Sequence, residues 1–155
     1  AYHLYIKYLT AICSRYVSDD DIVKDILQDS LVKIFSSARK FAYKGQGSLK
    51  AWMGRIVVNE SLKYLRDNGK IRFTALDDSL QEPTEEQMNI IPTDVLFRFI
   101  RELPDGYRTV FNMFVIDKMS YKEIARLLKI KEGTVASQVY KAKAMLARKI
   151  KSYEG

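Results

Sequence analysis

The fold of this chain is decided by residues 120–139, which read SYKEIARLLKIKEGTVASQV. Ser120 and Glu123 have the spacing of a capping box, in which two side chains satisfy backbone N–H groups at the start of a helix. The connection Lys129–Lys131 is short, and Ala125 is small enough for the two flanking helices to cross closely. This pattern predicts a helix-turn-helix unit. The apolar face of its second helix consists of Val135, Val139, Ala142, Leu146 and Ile150.

The second helix of this unit also carries polar side chains in its first turns. In a helix-turn-helix these turns face the major groove of DNA, while the first helix crosses the backbone. Hydroxyl and amide groups at these positions can form hydrogen bonds with base edges, and the amino groups of lysines can neutralise phosphates. A plain helical hairpin with a basic face is the alternative interpretation. The candidate DNA-contacting residues are Thr134, Ser137, Gln138, Tyr140, Lys141 and Lys143.

Charge is distributed in three blocks along the 155 residues. Residues 1–66 carry eleven Lys and Arg against six Asp and Glu, residues 67–92 two against six, and residues 93–155 thirteen against seven. The middle block has no sustained apolar period and contains Pro83 and Pro92, which predicts a flexible linker. The outer blocks show helical periodicity without strand patterns, so we predict an all-α protein with two small helical domains, the second containing the helix-turn-helix. The net charge of +7 favours a polyanionic partner.

Composition argues against several classes of protein. A single cysteine, Cys13, and a single histidine, His3, cannot form an internal disulfide, a zinc site of ordinary spacing or a histidine-based catalytic triad. No apolar run is long enough to span a bilayer, and no signal-peptide pattern begins the chain. Neither basic block contains a carboxylate cluster with metal spacing, so a nuclease-like enzyme has little support. We therefore expect a cytoplasmic protein with no cofactor, no metal and no membrane insertion.

The second predicted helix, which ends near Ser36, has an apolar surface wider than one core face requires. Ser18 is predicted to cap this helix, with Asp21 completing a capping-box-like pair. Val32 falls among polar residues at helical spacing, which is typical either of a docking surface or of a stray surface valine. The polar residues around it are Asp25, Gln28 and Asp29.

A glycine-bearing loop after this helix interleaves cations with aromatic rings. Such a composition suits single-stranded nucleic acid, because cations hold phosphates while rings stack on unpaired bases. The alternative is a solvated loop whose Phe41 packs into the core. The candidate residues are Arg39, Lys40, Phe41, Tyr43, Lys44 and Gln46.

The third predicted helix, for which Ser48 is the expected cap, has an apolar stripe that includes Trp52 as a core residue. Its opposite side carries a basic line at steps of four, four and three residues. Such a line could follow a phosphate backbone, or it could be an ordinary solvated face. The line consists of Arg55, Asn59, Lys63 and Arg66.

Two sets of motifs resemble the extracytoplasmic-function sigma factors of bacterial RNA polymerase, across nearly the whole chain. The stretches VKDILQDSLVKIF (23–35) and GSLKAWMGRI (47–56), followed by Asn59 and YLR (64–66), are similar to region two of that family. The stretches LPDGYR (103–108), MSYKEIA (119–125) and GTVASQV (133–139) are similar to region four. The short acidic segment between the two sets also resembles this minimal branch, which lacks a middle domain.

The resemblance implies a promoter-specificity subunit, not an enzyme, with core RNA polymerase and promoter DNA as partners. An anti-sigma protein is a further partner that the resemblance suggests. Region two, residues 1–66, would dock on the polymerase clamp through Asp25, Gln28, Asp29 and Val32. Its aromatic loop and basic line would receive the melted minus-ten element. Region four, residues 93–155, would read the minus-thirty-five element, with Ser137, Tyr140 and Lys141 closest to bases and Thr134 near phosphate.

Three residues depart from the family pattern. Ala136 and Gln138 stand where the family often has Lys or Arg, and Lys131 stands where a Ser or Thr cap is more usual. We therefore expect weak DNA binding by the second domain alone, because each lost phosphate contact removes a counterion-release contribution. Since Ala1 is not an initiator residue, we also expect a few residues to precede it. The alternative function is a stand-alone helix-turn-helix regulator whose N-terminal bundle senses a ligand or dimerises.

Overall fold

The computed structural model of the chain describes residues 2–69, 71 and 91–154. All regular elements in these residues are helical, which confirms the all-α prediction. The chain separates into two compact units, residues 1–70 and 71–155. Most of the predicted linker, residues 72–90, lies outside the described residues.

The first unit is a bundle of three helices. Helix α1 spans Tyr2–Tyr16, α2 spans Asp20–Ser36 and α3 spans Ser48–Asp67, with a short 3₁₀ turn at Ala38–Lys40. Helix α3 packs against both α1 and α2. The core that they share is formed by the buried side chains of Leu9, Ile12, Tyr16, Val57, Leu62 and Leu65.

Close packing of α1 on α3 depends on Gly54. A β-carbon at this position would lie 3.1 Å from Cδ1 of Ile12 and 3.2 Å from the hydroxyl of Tyr8. Nearby, the hydroxyl of Ser61 donates to the backbone carbonyl of Val57 and lies 3.4 Å from Sγ of buried Cys13. Burial raises the pKa of the Cys13 thiol, although the hydrogen bond with Ser61 acts in the opposite direction.

Two predicted helix caps in the first unit are wrong. The N-cap of α2 is Asp19 instead of Ser18, and its carboxylate accepts hydrogen bonds from the backbone N–H groups of Asp21 and Ile22. Ser48 is the first residue of α3 instead of its cap, and Gly47 occupies the cap position with a φ of 86°. The Ser48 hydroxyl accepts from the backbone N–H of Lys44, and so it orders the preceding loop.

The second unit begins with α4 (Thr93–Arg101) and α5 (Asp105–Phe111). The α-helical part of the latter ends at Phe111, and a π-helical turn continues it through Asn112–Ile116. The N–H of Asp117 bonds to the carbonyl of Asn112, the five-residue spacing of a π turn.

The helix-turn-helix predicted for residues 120–139 is confirmed. Helix α6 spans Tyr121–Leu128 and α7 spans Glu132–Glu154, so the connection is Lys129–Lys131 as predicted. The Ser120 hydroxyl caps α6 by accepting from the N–H of Glu123 at 3.1 Å. Helix α7 packs against α4, α5 and α6. Its buried side chains include the predicted Val135, Val139, Ala142, Leu146 and Ile150.

The last residue of the LPDGYR motif, Arg108, is a buried arginine that holds the surrounding backbone in place. Arg108 is only 3% exposed, and its guanidinium donates to the backbone carbonyls of Arg101 and Leu103 at 3.2 and 2.9 Å. It also pairs with the carboxylate of Asp105. The carbonyl of Arg101 at the end of α4 and that of Leu103 in the connection to α5 thereby gain a donor that the helix itself does not supply. Arg108 thus fixes the corner between α4 and α5.

Candidate polymerase-docking and nucleic-acid interface

The predicted docking residues Asp25, Gln28, Asp29 and Val32 are all exposed on α2. Val32 is 68% exposed, so it belongs to the surface and not to the core. Phe35, near the end of α2, is also a large apolar side chain and is 70% exposed. Because residues three apart are neighbours on a helix, Phe35 extends the apolar patch begun by Val32.

A groove of about 250 Å³ lies beside these residues, between α2 and α3. Asp25 and Asp29 line one side of it, and Lys63 and Tyr64 line the other. Glu60, also in the lining, is largely buried and forms an ion pair with Lys33 of α2. The groove therefore connects the docking surface of α2 with the basic line of α3.

The aromatic loop contains one anchored ring and one exposed ring. The centroid of Phe41 lies 5.2 Å from that of Trp52, so Phe41, which is half-buried, packs against α3. Tyr43 is 73% exposed. Gly45 and Gly47 have φ values of 115° and 86°, which side-chain-bearing residues rarely adopt. Arg39, Lys40, Lys44 and Gln46 are also exposed.

The predicted basic line on α3 lies at the surface. Arg55, Asn59, Lys63 and Arg66 are all exposed, whereas Val58 and Leu62 between them are buried. At a rise of 1.5 Å per residue, the line is about 16 Å long.

The recognition helix α7 differs from the prediction at Gln138. This side chain is only 2% exposed, so the expectation that it lies on the surface of the helix is wrong. Gln138 lies three residues after Val135 and four before Ala142, which places it on the same buried face of the helix. Thr134, Ser137, Tyr140, Lys141 and Lys143 are half-buried.

Two of these half-buried lysines lie against aromatic rings of their own unit. Nζ of Lys141 lies 5.4 Å from the centroid of Tyr107, and Nζ of Lys143 lies 5.7 Å from the centroid of Phe114. The ring of Phe114 in turn packs on that of Tyr121 with centroids 4.5 Å apart. Both ammonium groups are therefore held by cation–π contacts in this structure.

Within the described part of the chain, no group of His, Cys, Asp and Glu side chains is arranged to hold a metal ion. Across those same residues, no helix is both long and apolar enough to cross a membrane.

Comparison with known families identifies both halves of the chain. Residues 1–71 match the family model for Sigma-70 region 2, and residues 94–146 match that for Sigma-70 region 4. The two matches occur in the order that the motifs predicted. The chain therefore belongs to the sigma-70 family of transcription initiation factors, and the predicted resemblance is confirmed.

Individual relatives agree with this assignment. The chain is 28% identical over 162 residues to the ECF RNA polymerase sigma-E factor of Haemophilus influenzae, covering 94% of this chain and 83% of the relative. It is 26% identical over 156 residues to the sigma-E factor of Escherichia coli K12, covering 92% and 80% respectively.

A solved structure has a similar fold. It is the sigma factor RpoE of Bartonella quintana, crystallised in complex with the anti-sigma factor NepR. The two chains superpose with a TM-score of 0.58 and 19% sequence identity, covering 98% of this chain and 94% of the other. At this identity the likeness concerns the fold alone.

Proposed function

We propose that this chain is a promoter-specificity subunit that binds core RNA polymerase, recognises promoter DNA and assists strand opening. Residues 1–66 would bind polymerase and the minus-ten element, and residues 93–155 would bind the minus-thirty-five element. Residues 67–92 would link them. The subunit would act without chemistry of its own, in the cytoplasm, where polymerase and chromosome meet.

The observation that carries this proposal is the surface of α2. Val32 and Phe35 are large apolar side chains, each more than two-thirds exposed, next to Asp25, Gln28 and Asp29. Apolar side chains surrounded by polar ones are typical of protein interfaces. A regulator that acts on DNA alone has no need of such a surface, whereas a polymerase subunit requires one.

The minus-ten interface would combine the aromatic loop with the basic line of α3. Tyr43 would stack on an extruded base, while Arg39, Lys40 and Lys44 would hold the phosphates of the opened strand. Arg55, Asn59, Lys63 and Arg66 would follow the flanking strand. Phe41 would act indirectly, since its contact with Trp52 positions the loop that carries Tyr43.

The minus-thirty-five interface would use the exposed side of α7. Ser137 and Tyr140 would approach base edges, and Thr134 would approach a phosphate. Lys141 and Lys143 would have to leave the rings of Tyr107 and Phe114 to reach DNA. These two lysines would therefore contribute less to the affinity for DNA than their charge alone indicates.

An anti-sigma protein is the third partner that we propose. The Bartonella quintana sigma factor, which has a similar fold, was crystallised with such a protein. The exposed apolar residues of α2 offer it a surface, and occupation of that surface would compete with polymerase.

Run-off transcription with core polymerase tests the proposal. Duplex templates with randomised upstream and downstream promoter windows would be transcribed, and the transcripts sequenced. We expect discrete start sites and enriched motifs only when the chain and core are both present. A chain that selects a duplex motif without core, yet starts no transcription with it, would instead be a stand-alone regulator.

A further inference from the structure

Helix α6, the first helix of the helix-turn-helix, carries exposed cations at Lys122 and Arg126 and is followed by a third at Lys129. Lys122 and Arg126 are four residues apart, which places both side chains on one face of α6, and Lys129 follows at the C-cap of the helix. All three are exposed, whereas Ile124 and Leu128 on another face of the helix are buried. Among the residues that the structure describes, none forms an ion pair with any of the three.

Lys129, the last cation of this row of three, has an unusual backbone. It occupies the C-cap of α6 with φ and ψ of 59° and 46°, the left-handed conformation that glycine usually supplies at this position. Its own N–H and that of Ile130 both bond to the carbonyl of Ala125, so the conformation is part of the turn into α7. A side-chain-bearing residue is uncommon here, and glycine would adopt the same turn with less strain.

The row of cations is long enough to reach more than one phosphate of duplex DNA. From Lys122 to Lys129 is about 10 Å along the helix at 1.5 Å per residue. A strand of B-DNA advances about 3.4 Å along the duplex axis per phosphate. The first helix of a helix-turn-helix is the one that crosses the DNA backbone. The lysines of α7, by contrast, lie over Tyr107 and Phe114.

We infer that Lys122, Arg126 and Lys129 bind the phosphates of duplex DNA and contribute to the sequence-independent affinity of this unit. Lysine at position 129 keeps an ammonium group at the end of the row despite its backbone conformation. The inference rests on the proposed function for the position of α6 against DNA. The base contacts remain on α7. Helix α6 thus contributes affinity for DNA of any sequence, and α7 contributes sequence specificity.

The test measures binding of the full-length chain to a 30-base-pair duplex of arbitrary sequence, at several salt concentrations and without polymerase. Lys129→Gly keeps the turn and removes one charge, so we expect the slope of log K against log[salt] to fall by about 0.9. At 0.1 M salt this corresponds to about eightfold weaker binding. The triple variant K122A/R126A/K129G removes three charges and should lower the slope by about 2.7. The melting temperature of Lys129→Gly should equal or exceed that of the wild type.

Lys151→Ala is the matched control, because Lys151 is an exposed lysine about 26 Å along α7 from Thr134. We expect it to bind like the wild type. Salt slopes of the α6 variants equal to the wild-type slope, or an equal loss in Lys151→Ala, would overturn the inference. If Lys129→Gly lowers the melting temperature, Lys129→Asn replaces it, since asparagine also tolerates the left-handed conformation. A failure of transcription with core would contradict the proposed function but would leave this measurement unaffected.

Discussion

The ring of Phe41 packs on the ring of Trp52 at a centroid distance of 5.2 Å, which anchors the loop between α2 and α3. Tyr43, two residues further along, projects from the same anchored loop with 73% of its surface exposed. One aromatic residue thus holds the loop on the bundle, and the other is available to a ligand. The two residues should respond differently to the same substitution.

Tyr43→Ala should spare folding and core binding while reducing promoter opening. Stacking on an aromatic ring contributes about 1–3 kcal/mol per base, so its loss should lower open-complex formation about fivefold or more. A template with a pre-opened bubble should restore much of the activity. Run-off transcription on duplex and bubble templates measures both effects. Equal losses on the two templates would place Tyr43 outside the opening step.

Phe41→Ala should act through stability. Removing a half-buried ring that packs on Trp52 should lower the free energy of unfolding by about 1–3 kcal/mol. Chemical denaturation followed by circular dichroism measures this change. If Phe41→Ala leaves stability unchanged and abolishes opening as Tyr43→Ala does, Phe41 contacts DNA directly.

Val32→Glu should weaken core binding without unfolding the first unit. An exposed position should tolerate the change within about 0.5 kcal/mol of stability, whereas a carboxylate in an apolar interface is costly to desolvate. Competition with labelled wild-type chain for core polymerase gives the relative affinity. Ala11→Glu, an exposed position on α1, is the control and should compete like the wild type. Full competition by Val32→Glu would place the docking surface elsewhere.

Gly54→Val should destabilise the first unit by about 2 kcal/mol or more. Its β-carbon would lie 3.1 Å from Ile12, and its methyl groups need space that the crossing of α1 and α3 does not provide. Gly133→Ala, at a glycine with nothing within 4 Å of an added β-carbon, should be neutral or stabilising by up to about 1 kcal/mol. Thermal melts of both variants give the comparison. Similar melting temperatures for the two would show that α1 and α3 do not need a glycine to approach.

Local signals in the sequence were sufficient to predict much of this structure. The capping box at Ser120 and Glu123 and the apolar periodicity of α7 depend only on neighbouring residues, so the helix-turn-helix could be located before any contact was known. The exposure of Val32 also followed from its polar neighbours at helical spacing. At the start of α2 the predicted cap, Ser18, is followed directly by Asp19, another residue of capping type, and the cap is the second of the two.

Three features of the structure were not predicted. Gln138 was taken as a surface residue because it is polar, although its spacing from Val135 and Ala142 places it on the buried face of α7, so helical periodicity alone was sufficient to predict its burial. The sequence shows that the apolar surface of α2 is wider than one core face requires, but not that Phe35 is one of its exposed members. The conformation of Lys129 was missed because a lysine is not a typical signal for a left-handed residue.

Because Gln138 is buried and Tyr140 is partly exposed, the two residues should differ in their effect on recognition of the minus-thirty-five element. Tyr140→Ala should weaken recognition of that element by about 1–3 kcal/mol if its side chain makes a good base-directed contact. Gln138→Met, a change of similar volume at a buried position, should leave the preferred sequence unchanged. Transcription from templates with and without the enriched upstream motif gives both values. A changed sequence preference in Gln138→Met would return that residue to the reading surface.

Permanganate reactivity of thymines in a promoter duplex tests the central claim most directly. The duplex would carry the motifs enriched in the run-off experiment, and it would be probed with core alone, with the chain alone and with both. The proposed function predicts reactive thymines in the minus-ten region only when both are present, and weaker reactivity with Tyr43→Ala or Val32→Glu. Unreactive thymines in the combined sample, although the chain binds the duplex, would contradict the assignment of this chain as a promoter-opening subunit.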